Sequence, residues 1–175
     1  MRLPALKHVV QSVHALARSD RICVLGSSAL LGSFPELGEV NGPLELSFDA
    51  DLLVRPCDEQ MAALLHEAVG EGSLFAQRSG YHADILRPEI AETLPPGWEL
   101  RLVELDAATN ALVLAPEDLL VVKLRAGRAK DLDLCRTVVR RGLVLPAVLK
   151  ARLDATPLVE NEIVPVYERF NAVIA

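Results

Sequence analysis

Asp49 and Asp51 stand two residues apart at the head of the apolar run 48–54, and Gly26-Ser27-Ser28 breaks the apolar run that begins at Ile22. Strand side chains alternate between faces, so two aspartates at spacing two point the same way. Two unit charges about 4 Å apart repel by roughly 4 kcal/mol at an effective dielectric near 20. A strand continuing as Leu52-Leu53-Val54 carries that repulsion best with a cation between the carboxylates. The Gly-Ser turn, read as the start of a helix, offers backbone N–H groups to a phosphate. Paired carboxylates beside a phosphate cradle imply a nucleotide held with Mg²⁺ or Mn²⁺. Plainer readings compete. Aspartates on an edge strand deter pairing with other chains, and Ser27 and Ser28 would serve as helix caps.

The elements that position these residues follow from periodicity and punctuation. Leu6, Val9, Val10, Val13 and Leu16 recur at helical spacing, predicting a helix over 4–19. A short strand is expected at 22–25, a helix from Ser27 to Leu31, a Gly/Pro-rich loop over 32–43 and the carboxylate strand over 45–54. Asp58 is the expected cap of a helix reaching Val69. Strands are expected at 80–86, 99–105 and 111–114. Pro116, with Glu117 and Asp118 in the first turn, opens a helix running toward Gly127. Further helices are expected at 130–141, closed by Gly142, and at 146–155 and 162–174. Strands give way to helices near residue 114. The expected fold is α/β, a small mixed sheet flanked by helices, with a core over 1–114 and a C-terminal helical region over 115–175 packed on it as one domain.

Composition narrows the function classes. Hydrophobic residues make up 51% of the 175, enough for a core, whereas aromatics at 4% leave few platforms for stacking nucleic-acid bases. Three cysteines, at 23, 57 and 135, are too few and too scattered for a disulfide framework or a zinc site. No long apolar region follows Arg2, and no run approaches the roughly 20 apolar residues that span a bilayer. A cytoplasmic protein without membrane partners is expected. The net charge of −6 argues against a protein that coats nucleic acid, but the charge is uneven. Residues 121–141 hold seven cations against two aspartates, a net +5, so the rest of the chain carries −11. Such a basic segment suits capture of a polyphosphate, or is simply a solvated helix face with internal ion pairs. The motifs His-Glu-x-x-His, Cys-x-x-Cys and Gly-x-Ser-x-Gly are absent. His8, His14 and His66 have no partner spacing, and a lone strand histidine such as His82 is more often packed than catalytic.

An apolar strand ending in Gly26-Ser27, a helix, and then Asp49-x-Asp51 on the next strand resembles the nucleotidyltransferase fold of polymerase-β-like enzymes. A closer resemblance covers most of the chain. It is carried by Leu25-Gly26-Ser27-Ser28-Ala29-Leu30, Gly70-Glu71-Gly72-Ser73, Gly80-Tyr81-His82-Ala83-Asp84 and Leu94-Pro95-Pro96-Gly97-Trp98. Pro116-Glu117-Asp118-Leu119-Leu120 and Arg128-Ala129-Lys130-Asp131 extend it. These segments are similar to a small bacterial family of nucleotidyltransferase-fold proteins, itself distantly similar to the AbiEii-like toxin nucleotidyltransferases. The long gap between Ser27 and Asp49 is usual in that small family.

The resemblance implies roles. Asp49 and Asp51 would be the metal ligands and catalytic carboxylates, and Asp84 the third carboxylate, with Glu104 its rival. Gly26, Ser27 and Ser28 would hold the nucleotide phosphates. Lys123 would meet those phosphates, with Arg128 or Lys130 neutralising the departing pyrophosphate, and Asp131 would match a further acidic motif. In the plain readings, Lys123 snorkels out of the run Leu119-Leu120-Val121-Val122 and Asp131 answers a helix dipole. Lys123 and Lys130 are seven residues apart and share a face if one helix crosses Gly127. The implied activity is Mg²⁺-dependent transfer of a nucleoside monophosphate from a nucleoside triphosphate to a hydroxyl of RNA, protein or a small molecule. The alternative is a non-catalytic nucleotide-binding or interaction module, such as one half of a toxin–antitoxin pair whose partner protein is encoded nearby.

Overall fold

The computed structural model describes all 175 residues, Met1–Ala175. They fall into two compact units. The first comprises Met1–Ile90 and Leu102–Leu114, the second Ala91–Arg101 and Ala115–Ala175.

The first unit is built on a five-stranded mixed sheet: β1 (Arg21–Val24), β2 (Asp49–Arg55), β3 (His82–Ile85), β4 (Val103–Asp106) and β5 (Ala111–Val113), in the order β3-β2-β1-β5-β4. β1 pairs antiparallel with β2 and parallel with β5; β2 pairs parallel with β3; β4 pairs antiparallel with β5. Leu52, Leu53 and Val54 of β2 are all buried, so this inner strand is enclosed on both faces beyond its first residues. Helix α1 (Leu3–Ala17) buries Leu6, Val9, Val10 and Val13 of the face read from its periodicity, with Leu16 in its last turn exposed, and α3 (Glu59–Val69) buries Leu65 and Val69 while Leu64 is exposed. Asp58 caps α3 as expected, its carboxylate accepting from Met61 N at 2.8 Å.

Two expectations are corrected and one further helix is found. The carboxylate strand begins at Asp49 rather than near 45, because Glu45 N and Ser47 N donate to Gly42 O and Leu44 O; backbone donors spent on turns cannot join a ladder. The strand expected over 99–105 is only β4. A 3₁₀ helix, Trp98–Arg101, takes the earlier residues, since the Pro-Pro-Gly turn continues through Trp98 N to Pro95 O and Leu100 N to Gly97 O. A helix not read from the sequence, α4 (Leu74–Ser79), precedes β3. Its six residues are too few to show a period, but its caps are legible: Ser73 Oγ accepts from Ala76 N, and Gly80 takes the left-handed φ of 78°.

The segment after Gly26 is helical, as expected, but in two short pieces. Ser27–Ala29 is a single 3₁₀ turn that runs into the four-residue α2 (Leu30–Ser33).

The second unit is helical: α5 (Pro116–Ala126), α6 (Ala129–Arg140), α7 (Pro146–Asp154) and α8 (Glu160–Ile174). Leu119, Leu120 and Leu124 of α5 are buried, as are Leu134, Cys135 and Val138 of α6, Leu149 and Leu153 of α7, and Val166, Phe170 and Val173 of α8. No helix crosses Gly127, so Lys123 and Lys130 do not share a helix face. Gly127 has φ 66°, and a Cβ there would lie 2.2 Å from Arg169 Cζ. That guanidinium donates to Leu124 O and Arg125 O, closing carbonyls that the end of α5 leaves open.

Candidate functional site

Parallel pairing of β2 with β3 sets Asp49 opposite His82 and Asp51 opposite Asp84. Residues in register share a face, so all four side chains project from one side of the sheet. The carboxylates of Asp49, Asp51 and Asp84 offer oxygens that all lie within 4.8 Å of one another. None of the three residues is buried, whereas Ala50 and Ala83 between them are fully so. The cluster thus occupies the accessible end of strands whose alternate residues anchor the core. Glu104 lies on β4 at the opposite edge of the sheet and has no part in it.

Gly26 completes the geometry. Leu25 N donates to Asp51 O, drawing the end of β1 against β2 at this point. A Cβ at residue 26 would fall 1.7 Å from Asp51 Oδ2 and 2.9 Å from Asp51 Cβ. The glycine is required by this close approach and not by its dihedral, since φ is −86°. Ser27, partly exposed, follows directly. Ser28 is only 1% exposed, and its Oγ is buried without a hydrogen-bond partner, so of the two serines Ser27 is the one at the surface.

Two neutral or weakly basic groups attend the outer aspartates. Ser47 Oγ donates to Asp49 Oδ1 at 3.2 Å. His82 Nε2 lies 3.8 Å from Asp84 Oδ1, with the imidazole side chain 17% exposed against 46% for the aspartate. Three carboxylates form a hard oxygen donor set of the kind Mg²⁺ and Mn²⁺ take. Oxygens bound to one Mg²⁺ at about 2.1 Å stand no more than about 4.2 Å apart, so the set fits with small side-chain adjustments.

The cations read from the sequence lie in the second unit. Lys123 is 5% exposed at its side chain, and its Nζ donates to Asp131 Oδ1 at 2.7 Å. Arg128 Nε donates to the other oxygen of Asp131 at 2.5 Å, with its own side chain 63% exposed. Burial opposes ionisation of Asp131, but the hydrogen bonds from Lys123 and Arg128 prevail and hold its carboxyl below the ordinary value. Lys123 therefore anchors a buried ion pair rather than snorkelling, and Lys130 is exposed.

One feature of the cluster escapes single-motif reading. His82-x-Asp84 has the same spacing as Asp49-x-Asp51, and two strands with matching spacing present four polar groups together once they pair in parallel. That repeated spacing is the signal for His82.

Among curated proteins and among solved structures, nothing matches the chain. No helix is long and apolar enough to cross a membrane. A family model described as "nucleotidyltransferase of unknown function (DUF6036)" matches residues 3–163, which span the carboxylate cluster, the Gly26-Ser27 turn and most of the helical unit. The chain belongs to that nucleotidyltransferase family.

Proposed function

We propose that the protein transfers a nucleoside monophosphate from a nucleoside triphosphate to a hydroxyl, with Mg²⁺ or Mn²⁺ as cofactor. One observation carries this reading: Asp49, Asp51 and Asp84 converge within 4.8 Å on the accessible end of two parallel strands, with Gly26 cleared of a side chain beside Asp51. Asp49 and Asp51 hold the metal, and Asp84 completes the acidic set on the edge strand. The bound metal supplies charge neutralisation on the triphosphate and lowers the pKa of the acceptor hydroxyl. Ser27 binds phosphate through its hydroxyl and the backbone of its turn. We assign Arg128 or Lys130 to the charge that develops on the departing pyrophosphate, together with Lys123, which is paired with Asp131. Positioning and electrostatics suffice for such a transfer, and no covalent nucleophile is needed. For a polymeric acceptor we assign RNA, contacting Arg136, Arg140 and Arg141.

The test is incubation with each α-labelled triphosphate, Mg²⁺, and total RNA or lysate, followed by recovery of label in an acceptor. Label transferred by the native protein and not by Asp51→Asn supports the reading. Absence of transfer from every triphosphate with either metal, by folded protein that still binds nucleotide, would leave a binding module.

A further inference from the structure

Asp84 is the carboxylate that the edge strand contributes. It stands on β3, which has a neighbour on one side only, and its side chain is nearly half exposed. Carboxylate rotation about the last torsion is soft, so an aspartate in this setting samples many orientations. His82 is placed to limit that freedom. It precedes Asp84 by two residues on the same strand, projects from the same face and sits opposite Asp49 in register. Its side chain is largely enclosed, at 17% exposure, and its Nε2 is the atom toward Asp84 Oδ1, at 3.8 Å. An N–H at that distance attracts the carboxylate without a formed hydrogen bond, and such approaches tighten when a site is loaded. The imidazole itself is not among the groups that converge within 4.8 Å, which the three aspartates alone satisfy. Its reach is thus to a ligating residue rather than to the shared centre.

We infer that His82 is a positioning residue that orients Asp84 toward the metal shared with Asp49 and Asp51. The inference rests on the nucleotidyl-transfer reading of the cluster. A carboxylate ligand whose outer oxygen is held by a donor is already turned for binding, and removal of such outer partners typically costs about 10- to 100-fold in metal affinity or activity.

The experiment titrates Mg²⁺ alone into the full chain and follows thermal unfolding, for the native protein, His82→Leu and His82→Gln, each against its own metal-free Tm. The leucine removes the donor while keeping bulk, and the glutamine keeps an N–H. The expected result is an Mg²⁺ midpoint raised about tenfold in His82→Leu and largely restored in His82→Gln. In transfer assays the same pair should show the defect mainly in the Mg²⁺ concentration needed, with kcat recovering at saturating metal. A native protein that responds to Mg²⁺ while His82→Leu responds at the same midpoint would overturn the role of His82 and leave the site intact. Equal loss in His82→Leu and His82→Gln, with a lowered metal-free Tm in both, would overturn it in favour of packing. A native protein with no response to Mg²⁺ or Mn²⁺ would bring down the reading of the cluster and this role with it.

Discussion

The two units treat carboxylates in opposite ways. In the helical unit, Asp118 is fully buried and accepts from Arg101 Nε at 2.9 Å and from Arg152, and Asp131 is divided between Lys123 and Arg128. Each buried acid there is flanked by cations: at Asp131 they outweigh burial, whereas at Asp118 burial still pushes the carboxyl up to about 6. In the sheet unit, three aspartates are instead driven toward one another at a partly exposed strand end, with a serine beside Asp49 and an imidazole beside Asp84. The pairing at Asp131 serves stability. The second arrangement gathers like charges whose repulsion a bound cation would relieve, the way binding sites trade stability for function. The same substitution should therefore have opposite consequences in the two places.

Asp51→Asn is the sharpest case. It should reduce nucleotidyl transfer by on the order of a thousandfold and abolish stabilisation by Mg²⁺, which for a folded-state ligand at a hundredfold excess over Kd is about 2.7 kcal/mol. The metal-free protein should unfold at the same temperature as native or slightly higher, since one of three crowded charges is gone. A clearly lowered metal-free Tm would mean that Asp51 is a structural acid like those of the helical unit.

Asp131→Asn is its mirror. It leaves the enclosed Lys123 ammonium facing a neutral amide and should cost about 3 kcal/mol in urea unfolding at pH 7. The pH dependence has a definite sign. The folded-state carboxyl is depressed, so its contribution is complete above the unfolded-state value near 3.9 and is lost as pH falls through the folded value. Native and Asp131→Asn stabilities should therefore draw together below about pH 4. A gap that stayed constant from pH 7 to pH 3 would remove the ion pair as its cause.

Gly26→Ala probes the crowding without altering any charge. The new methyl would meet Asp51 Oδ2 at 1.7 Å, so the carboxylate must leave its place. Transfer and the Mg²⁺ response should fall together, by about 10- to 100-fold, with a stability change of about 1 to 3 kcal/mol from overpacking. Retention of full Mg²⁺ affinity would show that the position of Asp51 is not what the metal requires.

The smallest effect is expected on α6. Arg136 already donates to Asp133 at 2.6 Å, so much of its charge is answered locally. Replacing Arg136 and Arg140 together by alanine should flatten the salt dependence of RNA binding. The log–log slope should change by about 0.7 for each phosphate that the variant no longer neutralises. No RNA binding by the native protein at low salt would confine this basic surface to the triphosphate or to solvent.

Much of the candidate site is legible in the sequence because its parts are local. Gly26-Ser27 and Asp49-x-Asp51 each declare themselves within a few residues, and strand alternation alone brings the two aspartates to one face. The choice between Asp84 and Glu104 needs the strand order, which no local pattern contains; the sheet puts β3 beside β2 and β4 at the far edge. Lys123 misleads for a related reason. Its spacing to Lys130 suggests a shared face, but the break at Gly127 redirects the chain so that Asp131, eight residues on, meets Lys123 instead. Helix α4 escapes notice because six residues carry no period, although Ser73 and Gly80 mark its ends. The strand expected before β4 fails because proline and glycine at 95–97 commit the following residues to 3₁₀ geometry.

The bond from Arg169 to the end of α5 has a consequence for the order in which the helical unit folds. Leu124 and Arg125 receive their capping donors from a residue more than forty positions later in the chain. A growing polypeptide that has made α5 and α6 therefore still lacks the group that closes the elbow between them at Gly127. Until α8 arrives, the last carbonyls of α5 rely on water, and the Lys123–Asp131 pair that spans the elbow has a frayed support. Pairings of such separation spend their loop-closure entropy before they return any stability. The bend itself is made locally at Gly127, and the final helix supplies the donors that close the end of α5 beside it.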